Sequence, residues 1–245
     1  MSTSPSHDQV TDGPDGAAVP AVVLFDVNET LSDMSPMAGR FVDVGAPAHL
    51  AATWFATLLR DGFALTAAGS IAPFAQLGAG ALRASLDKVR LNRTLDDAVA
   101  HIMAGFGELT VHDDVRDGLP ELVALGIRLV TLSNGARIVA EQLFARAGLE
   151  DQFERLLSVE DAGVWKPARA AYSYAAVECA VEPAEMMLVA VHPWDIDGAH
   201  RAGLRTAWIN RTGATYPDYF NAPTVEATSV RHLAQVLGTI GDMPG

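Results

Sequence analysis

Acidic, hydroxyl and amide side chains in this sequence follow short apolar segments. Asp26 ends one such segment, and Thr30 lies four residues further on. Ser133 and Asn134 follow a second segment, and Asp195 comes shortly after a third. A carboxylate held by hydroxyl donors can act as a nucleophile, and a second carboxylate can position or activate water. Each residue alone is more typical of a turn or a helix cap, so the chemistry depends on their meeting in space.

The apolar segments predict the elements that would bring these side chains together. Short uninterrupted apolar runs are typical of buried parallel strands. We predict strands at 21–25, 127–132, 187–191 and 206–209, and helices at 120–125, 138–147, 168–177 and 198–202. Strands that alternate with helices indicate a parallel sheet covered on both faces, whose ligands bind beyond the carboxyl ends of the strands. The polar residues after the runs are therefore expected at one site.

The alternation is interrupted by a long helical segment. Residues 34–112 are rich in Ala and Leu, follow a helical pattern and contain no obvious strand. We interpret them as a helical cap domain inserted into a core domain made of residues 20–33 and 113–240. Residues 1–19 are rich in Ser, Pro, Gly and Asp, which is typical of a disordered leader.

Composition limits the classes of protein to which the chain can belong. Its 245 residues are 49% apolar, which excludes a wholly disordered chain. With 17 basic and 30 acidic side chains, its net charge of −13 gives no basis for nucleic-acid binding. The single cysteine, Cys179, excludes an internal disulfide framework and a cysteine-based zinc site, and fits a cytoplasmic location. No apolar stretch approaches the ~18 residues of a membrane span, and no secretory signal pattern is present.

Four segments, in this order, resemble the motifs of the haloacid dehalogenase superfamily. They are Leu24-Phe25-Asp26-Val27-Asn28-Glu29-Thr30-Leu31, Leu132-Ser133-Asn134-Gly135, Lys166-Pro167 and Asp195-Ile196-Asp197-Gly198-Ala199. The resemblance spans about residues 20 to 235. It implies a Rossmann-like α/β core, a parallel sheet flanked by helices, with an inserted all-helical cap domain.

Two departures distinguish the chain from the phosphatases of that superfamily. Asn28 stands where phosphatases carry a second Asp as general acid, and an amide cannot transfer a proton in that role. The acidic residue that helps those enzymes to hold magnesium is also missing upstream of Asp195. Both departures favour the 2-haloacid dehalogenase branch, which implies catalysis without a metal ion or another cofactor.

The resemblance assigns roles residue by residue. It implies that Asp26 is the nucleophile and that the other catalytic residues are Thr30, Ser133, Asn134, Lys166 and Asp195. We expect the substrate to be bound by Val27, Asn28, Phe55, Arg60, Tyr172, His192 and Trp194. Purely structural roles remain open at three of these positions. His192 is equally well explained as a buried structural histidine, and Tyr172 as a residue of the helix packing. Arg60 is equally well explained as a solvent-exposed arginine of the cap.

Other positions depart from the dehalogenase branch. Its usual residues are Tyr at Asn28, Gly at Glu29, Ser at Ala190 and Asn at His192. Its cap carries an Arg directly after a Trp, whereas Phe55 follows Trp54 here. Arg60 lies five residues beyond Phe55, a rotation of about 140° around a helix. Arg60 can replace that Arg only if the cap helix is rotated or the register differs.

The sequence thus predicts hydrolysis of short 2-haloalkanoic acids to 2-hydroxy acids through an ester on Asp26. The segments Asn-Glu-Thr and His-Pro-Trp-Asp resemble a divergent subgroup, some members of which accept fluorinated acids such as fluoroacetate. The alternatives are a magnesium-dependent phosphatase of small phosphate esters and a non-catalytic member of the superfamily. Apolar side chains of the cap, Leu58, Leu59 and Phe63, suggest a homodimer; no nucleic-acid or membrane partner is expected.

Overall fold

The computed structural model describes residues 19–241, so residues 1–18 of the predicted leader lie outside it. The strands are β1 (Val22–Phe25), β2 (Ser32–Asp33), β3 (Thr110–Val111), β4 (Arg128–Ser133), β5 (Arg155–Ser158), β6 (Met186–Ala190), β7 (Arg205–Ile209) and β8 (Val225–Ala227). The α-helices are α1 (Met37–Asp43), α2 (Leu50–Ala67), α3 (Phe74–Leu86), α4 (Leu95–Gly107), α5 (Asp113–Ala124), α6 (Arg137–Ala147), α7 (Val159–Ala162), α8 (Arg169–Cys179), α9 (Pro193–Ala202) and α10 (Val230–Gly241). None of the helices in this part of the chain is long and apolar enough to cross a bilayer.

Six strands form one parallel sheet in the order β5-β4-β1-β6-β7-β8. Strand β1 lies in its middle, and its side chains alternate between two apolar clusters. Val22 and Leu24 belong to one cluster, and Val23 and Phe25 to the other. Because both faces of β1 are buried, its sequence is an uninterrupted apolar run. The predicted parallel sheet with helices on both faces is confirmed.

The strand register brings the polar residues to one edge. Phe25 of β1 pairs with Thr131 of β4 and with Val189 of β6. The three strands therefore end at nearly the same level, and the residues that follow them emerge together. Asp26 and Asn134 follow β1 and β4 directly at that edge.

Two elements of the sheet were not predicted. Strands β5 and β8 lie at its two edges. Each has polar residues that interrupt the apolar run, Arg155 and Ser158 in β5 and Glu226 in β8. An edge strand is half solvated, so the continuous apolar signal of a central strand is absent there.

Helices α1 to α4 fill residues 37–107 between two very short strands. Strands β2 and β3 pair antiparallel, Ser32 with Val111 and Asp33 with Thr110. The expectation that residues 34–112 contain no strand is wrong at β3, since a strand of two residues leaves no periodicity to detect. The division into a core of residues 20–33 and 113–240 and a cap of residues 34–112 stays a prediction.

Helices α5 and α9 begin earlier than predicted. Helix α5 starts at Asp113 and contains Pro120 in its interior, where a helix start at Pro120 was expected. Helix α9 starts at Pro193, a residue that suits the first turn because it lacks a backbone N–H. The earlier start places Asp195 within the first turn of α9.

Helix α2 packs closely against the segment that carries Lys166. A Cβ atom at Gly62 would lie 2.4 Å from Cε3 of Trp165, so only glycine fits there. The indole Nε1 of Trp165 donates to the carbonyl of Ala72 at 3.2 Å, and its ring stacks on Phe74 at 6.0 Å. Trp165 therefore contacts helices α2 and α3 directly, and it is the neighbour of Lys166 in the chain.

The cap side chains that suggested a homodimer pack against other parts of the chain. Leu58 and Leu59 are 0% and 9% exposed within the larger apolar cluster. The ring of Phe63 lies edge-on to Trp194 at 4.9 Å. Leu58 and Leu59 are therefore unavailable to a second copy, whereas Phe63 is only partly buried, and the homodimer stays a prediction.

Candidate active site

Asp26 lies at the carboxyl end of β1 and is 3% exposed. Its Oδ1 accepts a hydrogen bond from Nζ of Lys166 at 2.9 Å. Its Oδ2 accepts from the hydroxyl of Thr30 at 2.7 Å and lies 3.2 Å from Nδ1 of His192. Burial alone would raise the pKa of Asp26, but the neighbouring Lys166 and His192 hold that pKa well below its ordinary value. The carboxylate is therefore ionised at neutral pH.

Lys166 is fully buried between two carboxylates. Its Nζ also donates to Oδ2 of Asp195 at 2.6 Å. Burial lowers the pKa of Lys166, and the charges of Asp195 and Asp26 more than offset this, so the pKa is raised above its ordinary value. The ammonium group thus bridges the nucleophile candidate and the second carboxylate.

Asp195 is held from its other side by Tyr172. The phenol of Tyr172 donates to Oδ1 of Asp195 at 2.6 Å. Burial raises the pKa of Asp195, and burial together with Asp195 raises the pKa of Tyr172 well above its ordinary value. Tyr172 therefore stays protonated as a donor. The structure places this predicted substrate contact behind Asp195, where it orients the carboxylate.

Thr30, Asn134 and Ser133 fix the surroundings of these charges. The backbone N–H of Val191 donates to Oγ1 of Thr30 at 3.1 Å, which leaves the hydroxyl proton for Asp26. Oδ1 of Asn134 accepts from the backbone N–H of Lys166 at 3.0 Å, so Asn134 positions the lysine main chain. Oγ of Ser133 accepts from the N–H of Gly135 at 2.9 Å and closes its own turn.

His192 links Asp26 to a residue that the sequence analysis did not include in the site. Its Nε2 lies 2.8 Å from Oε2 of Glu29, while its Nδ1 faces Asp26. Burial lowers the pKa of His192, but hydrogen bonds to Asp26 and Glu29 raise it to about 9. The ring of Trp194 stacks on the imidazole at 5.0 Å, and that of Phe55 lies 6.5 Å away.

Two cavities adjoin the turn after β1. The larger, of about 340 Å³, lies between this turn and helices α1 and α2, and its lining includes Glu29, Phe55 and the small residues Ala48, Ala51 and Ala52. The smaller, of about 10 Å³, is lined on the other side by Val27 and Asn28. Val27 and Asn28 thus line a different cavity from Phe55.

Arg60 is not brought to this group of residues. Its side chain is 70% exposed, and its guanidinium pairs with the adjacent Asp61 at 2.8 Å. Trp54, the residue by which the cap was aligned, is fully buried and donates to the carbonyl of Gly78 at 2.9 Å. Neither a rotated helix nor a different register brings the Arg60 side chain to the site in this structure.

A bound metal ion needs several His, Cys, Asp or Glu side chains that converge on one point. Within 19–241, no group of three or more His, Cys, Asp and Glu side chains is placed to hold a metal ion. The carboxylates of Asp26 and Asp195 have Lys166 between them, so the ammonium provides the positive charge at this point.

Comparison with known proteins gives a consistent result. A sequence model described as haloacid dehalogenase-like hydrolase matches residues 20–203. The (S)-2-haloacid dehalogenase of Pseudomonas sp. (strain YL) is 31% identical over 225 residues, which cover 89% of this chain and 94% of that protein. A crystal structure of an L-2-haloacid dehalogenase superposes with a TM-score of 0.85 at 28% identity, over 90% of this chain and 100% of the other. The crystal structure of a defluorinating L-2-haloacid dehalogenase superposes with a TM-score of 0.76 at 25% identity, over 89% and 95% of the two chains.

Proposed function

The chain belongs to the haloacid dehalogenase-like hydrolase family, and we propose that it removes halide from short 2-haloalkanoic acids by hydrolysis. The observation that carries this proposal is the buried, ionised Asp26, with Lys166 on Oδ1 and Asp195 beyond the same ammonium. This group supplies a nucleophile, a fixed positive charge and a second carboxylate for water.

The first step is a displacement at C2 of the acid. A carboxylate oxygen of Asp26 attacks C2, the carbon–halogen bond breaks, and halide leaves with its electron pair. The product of this step is an ester between Asp26 and the acid. Halide leaves as an anion without a proton, so the step needs no general acid, and Asn28 is no obstacle. Attack opposite the halogen inverts the configuration at C2.

The second step is hydrolysis of this ester at Cγ of Asp26. Asp195 is the carboxylate that positions or activates the water, because it is buried beside Asp26 and is held by both Lys166 and Tyr172. Cleavage releases a 2-hydroxy acid and restores the carboxylate. The net reaction consumes one water and produces halide and one proton.

The cavity next to Phe55 and Glu29 supports a small substrate. Its volume of about 340 Å³ leaves room for acids of two or three carbon atoms beside its alanine lining. The relative from Pseudomonas is named an (S)-2-haloacid dehalogenase, and we propose the same preference for this chain. The similarity to a defluorinating enzyme supports fluoroacetate as a second substrate to test.

Three further features are part of the proposal. The reaction runs without a metal ion, since Lys166 supplies the charge that balances the two carboxylates. The enzyme works in the cytoplasm, in keeping with its single cysteine. Its partner is the small-molecule acid.

A substrate panel tests the proposal. Purified enzyme in excess chelator is offered both enantiomers of 2-chloropropionate, chloroacetate and fluoroacetate, and released halide is measured. In parallel, small phosphate esters are offered with added magnesium. We expect halide from (S)-2-chloropropionate with (R)-lactate as product, and no phosphate release. Phosphate release with magnesium, without halide from any acid, would establish the phosphatase alternative instead.

A further inference from the structure

The two oxygens of Asp26 have different surroundings. Oδ2 accepts from the hydroxyl of Thr30 at 2.7 Å and faces Nδ1 of His192 at 3.2 Å. Oδ1 accepts one hydrogen bond, from Nζ of Lys166 at 2.9 Å, and neither Thr30 nor His192 donates to it. A carboxylate oxygen has about two lone-pair sites. Both sites of Oδ2 are therefore engaged by donors, whereas Oδ1 retains one that can attack a substrate.

Glu29 is the second unusual feature of this turn. Its backbone has a φ of 63°, in the left-handed region that non-glycine residues rarely adopt. The turn is fixed on both sides, because the Glu29 carbonyl accepts from Nε2 of His112 at 3.0 Å and its N–H donates to Ser32 at 3.3 Å. This conformation places the Glu29 carboxylate 2.8 Å from Nε2 of His192. Backbone strain at such a position is typical of functional sites.

We propose that the ester forms on Oδ1 of Asp26 and that Thr30 and His192, the latter oriented by Glu29, stabilise the oxyanion on Oδ2 during hydrolysis. This inference rests on the proposed function. In this assignment His192 is a catalytic residue that touches a reacting atom. Glu29 is a positioning residue that acts through His192.

Hydrolysis of the ester takes place at Cγ of Asp26. Water adds to Cγ, its oxygen forming the new bond, while the electron pair of the Cγ–Oδ2 double bond moves to Oδ2. One water proton passes to Asp195. Collapse restores the double bond and breaks the Cγ–Oδ1 bond, so Oδ1 leaves within the 2-hydroxy acid and receives the proton from Asp195. The other water proton is released, and Asp26 is again a carboxylate.

The protonated form of His192 is what this role requires. Asp26 and Glu29 are the charged groups that contact the imidazole, and the rings of Trp194 and Phe55 lie near it. Each nitrogen therefore faces an acceptor, and only the imidazolium donates to both. The pKa of His192 lies at about 9, so the imidazolium is the form present at neutral pH.

Glu29 matters most after the ester has formed. Esterification removes the negative charge of Asp26, and with it one of the two carboxylates that hold the proton on His192. The remaining carboxylate partner is Glu29, whose side chain is 44% exposed and outside the reaction. It keeps His192 charged at the stage when an oxyanion must be stabilised in a buried site.

The test separates ester formation from ester hydrolysis. Wild type, Glu29→Gln and the exposed control Glu150→Gln are mixed rapidly with (S)-2-chloropropionate. Halide is followed in the first turnover and in the steady state, and the ester is sought by mass spectrometry of the quenched enzyme. We expect Glu29→Gln to release one equivalent of halide at a rate close to wild type. We expect it then to turn over about tenfold to hundredfold more slowly, with the ester accumulated.

Glu29→Gly protects the test against a folding defect. Glycine adopts a φ of 63° without strain, so this variant keeps the turn and removes the carboxylate. We expect the same halide burst followed by slow turnover. The proposal is overturned if both variants keep the wild-type steady-state rate, or if they slow the burst as much as the steady state. Wild type that releases no halide from any 2-haloacid would instead refute the proposed function.

Discussion

At the scale of single residues, the site is a row of side chains whose charges alternate in sign. Asp195, Lys166 and Asp26 follow one another at 2.6 Å and 2.9 Å, and His192 continues the series towards Glu29. Ions in such surroundings are stable only when each has a partner. The arrangement explains how the buried Asp26 remains an anion, because the cations Lys166 and His192 flank it.

The raised pKa of His192 predicts a pH dependence of stability. The folded-state pKa of about 9 lies above the ordinary value of 6.5. The stabilisation is therefore complete below the unfolded-state value and is lost as the pH rises through about 9. We expect the free energy of unfolding, measured with urea, to fall between neutral and strongly alkaline pH by on the order of 1–3 kcal/mol from this group.

The variant His192→Asn is the control for that measurement. It removes the titrating group, so its stability should change less over the same pH range. Parallel curves for wild type and His192→Asn would show that His192 is not the group responsible.

Arg60 provides a test of how the substrate carboxylate is recognised. In the structure its guanidinium is 70% exposed and paired with Asp61. We therefore expect Arg60→Ala to leave KM within about threefold of wild type, as for surface contacts in general. A KM raised tenfold or more would mean that helix α2 rotates when substrate binds and brings Arg60 into the cavity.

Some site residues could be predicted from sequence and others could not. Asp26 and Asp195 were found because polar residues that end buried strands converge at one edge of the sheet. Glu29 was missed because its contact with His192 depends on a positive φ, which the sequence does not reveal at a non-glycine residue. The one available signal was a Glu at a position where the family usually has Gly.

At the scale of elements, the contact between α2 and Trp165 connects the helical segment to Lys166. The helix approaches closely enough that Gly62 faces the indole without room for a Cβ atom. Trp165 immediately precedes Lys166, whose ammonium sits between Asp26 and Asp195. A displacement of α2 would therefore be transmitted to the buried charges.

Gly62→Ala tests this connection. The added methyl would lie 2.4 Å from the Trp165 ring, and we expect the free energy of unfolding to fall by about 1–3 kcal/mol. We also expect a lower kcat for halide release, since Lys166 moves with Trp165. Stability is read from urea unfolding and activity from released halide.

Gly80→Ala is the matched control. Gly80 lies within α3 and has nothing within 4 Å of the position of an added Cβ. Replacing a helical glycine by alanine should by itself stabilise the protein by about 0.5–1 kcal/mol. Gly62→Ala and Gly80→Ala both gain this helix propensity, so the difference between them reports the clash with Trp165. Equal stability of the two variants would show that α2 adapts to the methyl group and that the contact is not tight.

The elements that could be predicted from the sequence are those whose residues are buried on both faces. Central strands β1, β4 and β6 were found because their residues are apolar on both faces. Edge strands β5 and β8 and the two-residue pair β2 and β3 carry no such pattern. Helix α9 is longer than predicted, because Pro193, a residue type common in loops, occupies its first position.

At the scale of the whole molecule, the fold places the reaction at the edge of a parallel sheet, with a helical segment over it. The cavity that adjoins the turn after β1 is lined by residues of that turn and of helices α1 and α2. The family membership of the chain accounts for this architecture, and the residues at the edge decide its chemistry.

We propose that Asp26 carries out the displacement without a metal ion. The most direct measurement is halide release from (S)-2-chloropropionate in excess chelator, by wild type and by Asp26→Asn. The substitution keeps the shape of the side chain and removes the anionic nucleophile, while Lys166 keeps Asp195 as a partner. We predict steady halide release by wild type and none above background by the variant. Release that persists in Asp26→Asn, or that the chelator abolishes in wild type, would contradict the account.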